Sequence, residues 1–128
     1  MTIERFEDLD IWQEARNLCS EIKKLCNKSD FSKDFRLKDQ ILGSSGSIMD
    51  NIAEGFERGG NKEFINFLGI AKGSCGETRS QLYRSLDFEY VSKEEFDNLL
   101  QKTIMLSKKL SGFITYLKTS EYKGVKYK

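Results

Sequence analysis

Apolar residues recur at steps of three and four along four stretches of the chain, and each stretch predicts a helix. In the first, Leu9, Trp12, Ala15, Leu18 with Cys19, Ile22, and Leu25 with Cys26 form one stripe, so a helix is expected from Asp8 or Asp10 to Asn27. In the second, from Lys33 to Glu57, Ile41, Ser45, Ile48, Ile52 and Phe56 share a face. Gly43, Gly46, Ser47 and Asp50 fall roughly opposite at 100° per residue. The third runs from Asn61 to Phe88 and carries Phe64, Phe67 with Leu68, Ala71, Cys75, Thr78, Leu82 and Leu86. Gly69, Gly73, Gly76 and Ser80 make a second stripe about 150° away. The fourth, Lys93 to Lys118, repeats Phe96, Leu99 with Leu100, Thr103, Leu106, Leu110, Phe113 with Ile114, and Leu117 at bundle-like spacing.

The links have their own chemistry. Ser29 or Ser32 is the expected cap of the second helix, and Asn61 that of the third. Gly55, Gly59 and Gly60 are read as a hinge that closes the second helix with positive φ. Ser92 and Glu95 have capping-box spacing, in which each side chain satisfies a free backbone donor of the other. Four helices with short links imply an all-α, up-down-up-down antiparallel four-helix bundle over residues 1–118, followed by a basic, flexible tail at 119–128. The run Gly43-Ser44-Ser45-Gly46-Ser47 costs the second helix on the order of a few kcal/mol in propensity. Close approach of another helix would offset that cost. Gly43, Gly46, Ser47, Gly69, Gly73 and Gly76 are therefore expected at a close helix contact, within one chain or between subunits.

Composition narrows the chemistry. The chain has 128 residues, no proline, no histidine, three cysteines without CxxC spacing, and a net charge of +1. That profile suits a single helical domain in the reducing cytoplasm. No apolar run reaches the roughly 20 residues that span a bilayer, so no membrane partner is expected, and the acidic start does not read as a secretory signal. Without histidine, the usual Ser-His and Cys-His nucleophile pairs cannot be built, and catalysis is not expected. Glu54, Glu63 and Glu77 could in principle cluster around a divalent metal, but pairing with Arg58, Lys62 or Arg79 is the preferred reading. No metal or cofactor is expected.

Charge is uneven along the chain. Residues 102–128 hold seven lysines against Glu121 alone, and Tyr116, Tyr122 and Tyr127 are interleaved with them. Lysine neutralises phosphates and tyrosine stacks on bases, so Lys108, Lys109, Lys118, Lys123, Lys126 and Lys128 are the candidate contacts to RNA or DNA. A solubilising tail is the plainer alternative.

The segment Asn51 to Leu82, NIAEGFERGGNKEFINFLGIAKGSCGETRSQL, resembles the signature of the bacterial four-helix-bundle family of 23S rRNA intervening-sequence proteins, often labelled ribosomal protein. QILGSSGSIMDNIAEG resembles the family's second helix and FEDLDIWQEARNL its first, and the likeness covers about residues 6–118. The resemblance implies a four-helix bundle, a ring-like homopentamer and no enzymatic activity. It is related to accessory proteins of diversity-generating retroelements, which bind nucleic acid through a basic surface and contact a reverse transcriptase. It also marks Asn51, Glu54, Glu77 and Gln81 as polar positions of the motif, with Asn51 expected in a buried polar contact between helices. The chain departs from the pattern at Leu42 and Gly43, where relatives often carry arginine, and at Met49, where relatives often carry proline. The expected function is nucleic-acid binding by a homo-oligomer; a protein-binding scaffold is the alternative.

Overall fold

Residues 3–119 are described by the computed structural model. After a 3-10 turn at Phe6–Asp8 come α1 (Asp10–Cys26), α2 (Ser29–Lys33), α3 (Phe35–Glu57), α4 (Asn61–Asp87) and α5 (Lys93–Thr119). The four long helices stand where the apolar spacing predicts them. The short α2 is additional. It exists to seat Phe31, which is fully buried and stacks on Tyr90 with ring centroids 5.2 Å apart. A lone apolar residue in a five-residue helix has no periodic partner, so spacing does not reveal it.

Contacts between helices fix their directions. Ser47 meets Ser74, Ser44 meets Thr78 and Gln81, and Gln40 meets Arg84, so α3 and α4 are antiparallel. Phe64 meets Phe113, Cys75 meets Thr103 and Tyr83 meets Phe96, so α4 and α5 are antiparallel too. Lys109 pairs with Asp10 and Glu14, Lys102 with Glu21, and Lys28 with Glu95, which runs α5 against α1. The result is an antiparallel bundle in which α1 and α4 are diagonal. Its core holds Leu18, Ile22, Ile41, Ile48, Ile52, Phe56, Phe64, Leu68, Leu82 and Leu106, all at most 1% exposed.

Three local expectations are corrected. Neither Ser29 nor Ser32 caps α3; Asp34 does, accepting from the Leu37 N–H at 3.0 Å. The helical turn of α2 uses up Ser29–Lys33 and moves the start of α3 to Phe35. Asn61 is the first residue of α4 and not its cap, a place taken by Gly60. Its amide donates instead to the Leu117 carbonyl near the end of α5, at 3.3 Å. In the expected hinge only Gly59 has a positive φ, of 87°. Gly55 lies inside α3, buried against α4. The Ser92–Glu95 capping box does form, with N–H to side-chain distances of 2.9 and 3.1 Å.

Within one chain, the expected close packing through glycine is also corrected. A Cβ built at Gly43, Gly46, Gly69, Gly73 or Gly76 would meet nothing within 4 Å. These positions lie on the outer side of the bundle, so they do not bring α3 and α4 together. Ser47 does touch α4, through Ser74 Oγ at 2.9 Å. The close approach is at Gly55, where a Cβ would stand 2.6 Å from Phe67 Cβ.

Candidate nucleic-acid interface

The expected lysines divide three ways. Lys108 and Lys118 are exposed on α5 and have no ion-pair partner among the described residues. Lys109 is turned toward α1, with Nζ 2.8 Å from Asp10 Oδ2 and also bonded to Glu14 Oε2. One residue is 100° of helix, which is enough to send neighbours to different faces. The bonds from Asp10 and Glu14 hold the Lys109 ammonium above its usual range, and Lys109 holds the Asp10 carboxyl below its own. Glu14 is pushed up, because its burial outweighs the ammonium's pull. Lys109 is thus committed to the α1–α5 seam and leaves the set of free cations. Lys123, Lys126 and Lys128 lie outside the described residues, as do Tyr122 and Tyr127.

Two basic residues of α4 lie on its α5-facing side. The Cys75 thiol faces the Thr103 carbonyl of α5 at 3.2 Å. Lys72 and Arg79 stand three before and four after Cys75, so they share its side of the helix. Neither has an ion-pair partner among the described residues, and α5 carries no Asp or Glu from Asn98 to Thr119. Charge counted along the chain does not reveal Lys72 and Arg79, because Glu63 and Glu77 lie close to them in sequence. Their seven-residue spacing around an apolar-face cysteine was the available signal.

The motif's polar residues form a seam between α3 and α4. Ser44 Oγ donates to Gln81 Oε1 at 2.6 Å and lies 2.9 Å from Thr78 Oγ1. Asn51 donates to the Ser47 carbonyl and hydroxyl one turn back, at 2.8 and 2.9 Å. It therefore reaches α4 through the Ser47–Ser74 pair and not directly. Glu54 pairs with Arg58 at 2.8 Å, and Arg58 reaches Glu63 at 3.8 Å. Glu77 is exposed. Among the described residues no group of three or more His, Cys, Asp or Glu side chains is placed to hold a metal ion. Burial pushes the Cys26 and Cys75 thiols up to about 11, far from the range of a reactive thiolate. No helix among the described residues is long and apolar enough to cross a membrane.

A sequence model described as "23S rRNA-intervening sequence protein" matches residues 7–112. The chain belongs to that family. The chain also matches a crystal structure from Bacteroides thetaiotaomicron, described as a protein of unknown function from the S23 ribosomal protein family. The two are 26% identical with a TM-score of 0.74, over 81% of this chain and 97% of the other. No curated protein matches the chain. The family match takes in Lys72, Arg79, Lys108 and Lys109 and ends before Lys118.

Proposed function

We propose that this protein is a non-enzymatic, cytoplasmic homo-oligomer that holds RNA or DNA by charge on the C-terminal half of α5. The observation that carries this reading is the acid-free stretch from Asn98 to Thr119, with Lys108 and Lys118 exposed and unpaired among the described residues. Such a surface attracts phosphates without reading sequence, because its contacts are charge alone. A ring of five, expected from the family resemblance, would gather five copies of it and raise the potential on one face.

Fluorescence anisotropy with a labelled oligonucleotide at rising salt tests the reading. Changing Lys108, Lys118, Lys123, Lys126 and Lys128 together to glutamine should weaken binding and flatten its salt dependence. Lys109→Gln alone should do less than Lys108→Gln, because its ammonium already serves Asp10 and Glu14. Salt-independent binding would sink the electrostatic mechanism.

The second reading is a protein scaffold. It draws on the outer side of α3 and α4, where open Gly43 and Gly73 accompany Ile70, which is 46% exposed. A pull-down that returns a partner protein and no nucleic acid would favour it.

A further inference from the structure

The α4–α5 edge carries more than a count of lysines. On α4, Lys72, Gly76, Arg79 and Tyr83 follow one another at steps of four, three and four, which is one line along the helix. On α5, Ile104, Ser107, Lys108, Ser111 and Thr115 lie on the side that turns from Thr103 toward α4 and the solvent. The Cys75–Thr103 and Tyr83–Phe96 contacts bring these two lines alongside each other. Between them the floor is low: Gly76 has no side chain and open space above it, and Ile104 and Ser107 are half-buried. Glu77, two residues on from Cys75, lies about 200° around α4, and α5 lines the groove without an acid from Asn98 onward; Asp97, on the same line as Ile104 and Lys108, stands at the Tyr83 end and is paired with Lys93 at 2.6 Å. Tyr83 closes one end. Its ring rests on Phe96, centroids 4.9 Å apart, and remains 50% exposed.

We infer that this groove takes a single nucleic-acid strand, with phosphates held by Lys72, Arg79 and Lys108 and a base stacked on Tyr83. The inference rests on the nucleic-acid reading above and specifies its ligand. Packed helix axes lie about 8–10 Å apart, so the trough between them suits one backbone. A duplex keeps its base faces closed against one another and offers Tyr83 nothing to stack on. A single strand presents a π-face at every base, and cations flanking an aromatic ring are the means by which such strands are held without sequence preference. Exposed tyrosine beside arginine at one helical turn provides both parts.

The test compares a labelled oligothymidylate of about 15 nucleotides with a duplex of the same length, by anisotropy at several salt concentrations. The single strand should bind more tightly. Lys72→Gln with Arg79→Gln should make the slope of log affinity against log salt shallower by roughly 1.4, about 0.7 for each lost phosphate contact. Tyr83→Ala should weaken single-strand binding roughly tenfold and leave that slope unchanged. Gly76→Glu puts an acid on the groove floor where the fold has room, so binding should fall while the melting temperature holds or rises. Gly43→Glu, equally open but on α3, should weaken binding less. If the Lys72 and Arg79 changes leave affinity and slope intact while Lys118→Gln weakens binding, the groove is wrong and the general reading survives. Tighter binding of the duplex, with Tyr83→Ala neutral, would overturn the single-strand assignment. Failure of the unaltered protein to bind either probe at low salt would remove both.

Discussion

Gly55 and Glu89 impose opposite backbone demands. A methyl group at Gly55 would press on Phe67 Cβ, which is anchored to the α4 backbone and cannot swing away. Gly55→Ala should therefore destabilise by about 1–3 kcal/mol, although alanine is the better helix former. Glu89 follows the end of α4 with φ 62°, where its Cβ is crowded, and Tyr90 N–H closes the turn on the Ser85 carbonyl at 2.9 Å. Glu89→Gly should stabilise by about 0.5–1 kcal/mol, the relieved crowding less glycine's greater freedom when unfolded. Urea denaturation of both variants checks the two signs. Asp34 adds a pH dependence. The Leu37 N–H and the Tyr90 O–H, which donates to its other oxygen at 2.9 Å, hold its carboxyl below the usual range. The folded state thus binds that proton more weakly than the unfolded chain. Its contribution is complete above about pH 4 and is lost as pH falls through the folded value. Melting temperatures from pH 2 to 7 should show Asp34→Asn less stable than the native protein near neutrality, with the gap closing in acid.

At the scale of the helices, the α3–α4 pair explains how a Gly-Ser run remains helical. Serine and threonine hydroxyls bridge it to α4: Ser44 to Thr78 and Gln81, Ser47 to Ser74. Thr78 is fully buried and its Oγ1 also lies 3.0 Å from the Ser74 carbonyl. Thr78→Val keeps the shape and deletes the hydroxyl, and should cost about 1–2 kcal/mol by leaving Ser44 a partner short. Thermal melting beside Ser80→Ala, an exposed neighbour, gives the comparison. The need for compensation was legible in the sequence, because GSSGS is a poor helix former wherever it sits. Its agent was not. Periodicity separates apolar from small positions, but it does not tell a glycine that touches a neighbour from one that faces solvent. Gly55 and Gly46 look alike on a helical wheel scored for size alone.

Across the whole molecule, charge is sorted by packing. The acidic start of the chain, Asp10, Glu14 and Glu21, is set against Lys109 and Lys102 of α5. Exposed pairs of this kind contribute little stability, and their consequence is to sort the cations of α5 into used and free ones. Assembly belongs to this scale too. Gly73→Leu meets open space in one chain, so its melting temperature should hold. If the outer side of α3 and α4 joins subunits, light scattering should then show a smaller particle for Gly73→Leu than for the unaltered protein.

Four long helices, their ends to within a few residues, the capping box at Ser92 and the family are legible in the order of the residues. All of these follow from spacing and local hydrogen bonding, which the chain carries in linear order. That Asp34 caps α3, that Gly55 is the tight contact, that Lys109 is spent on α1, and that Lys72 and Arg79 stand on the side of α4 that faces α5 emerges only from the packing. The Asp34 cap follows from the turn of α2 just before it; each of the others depends on which residues of distant segments meet, and helical periodicity sets a side chain's direction without naming what lies across from it.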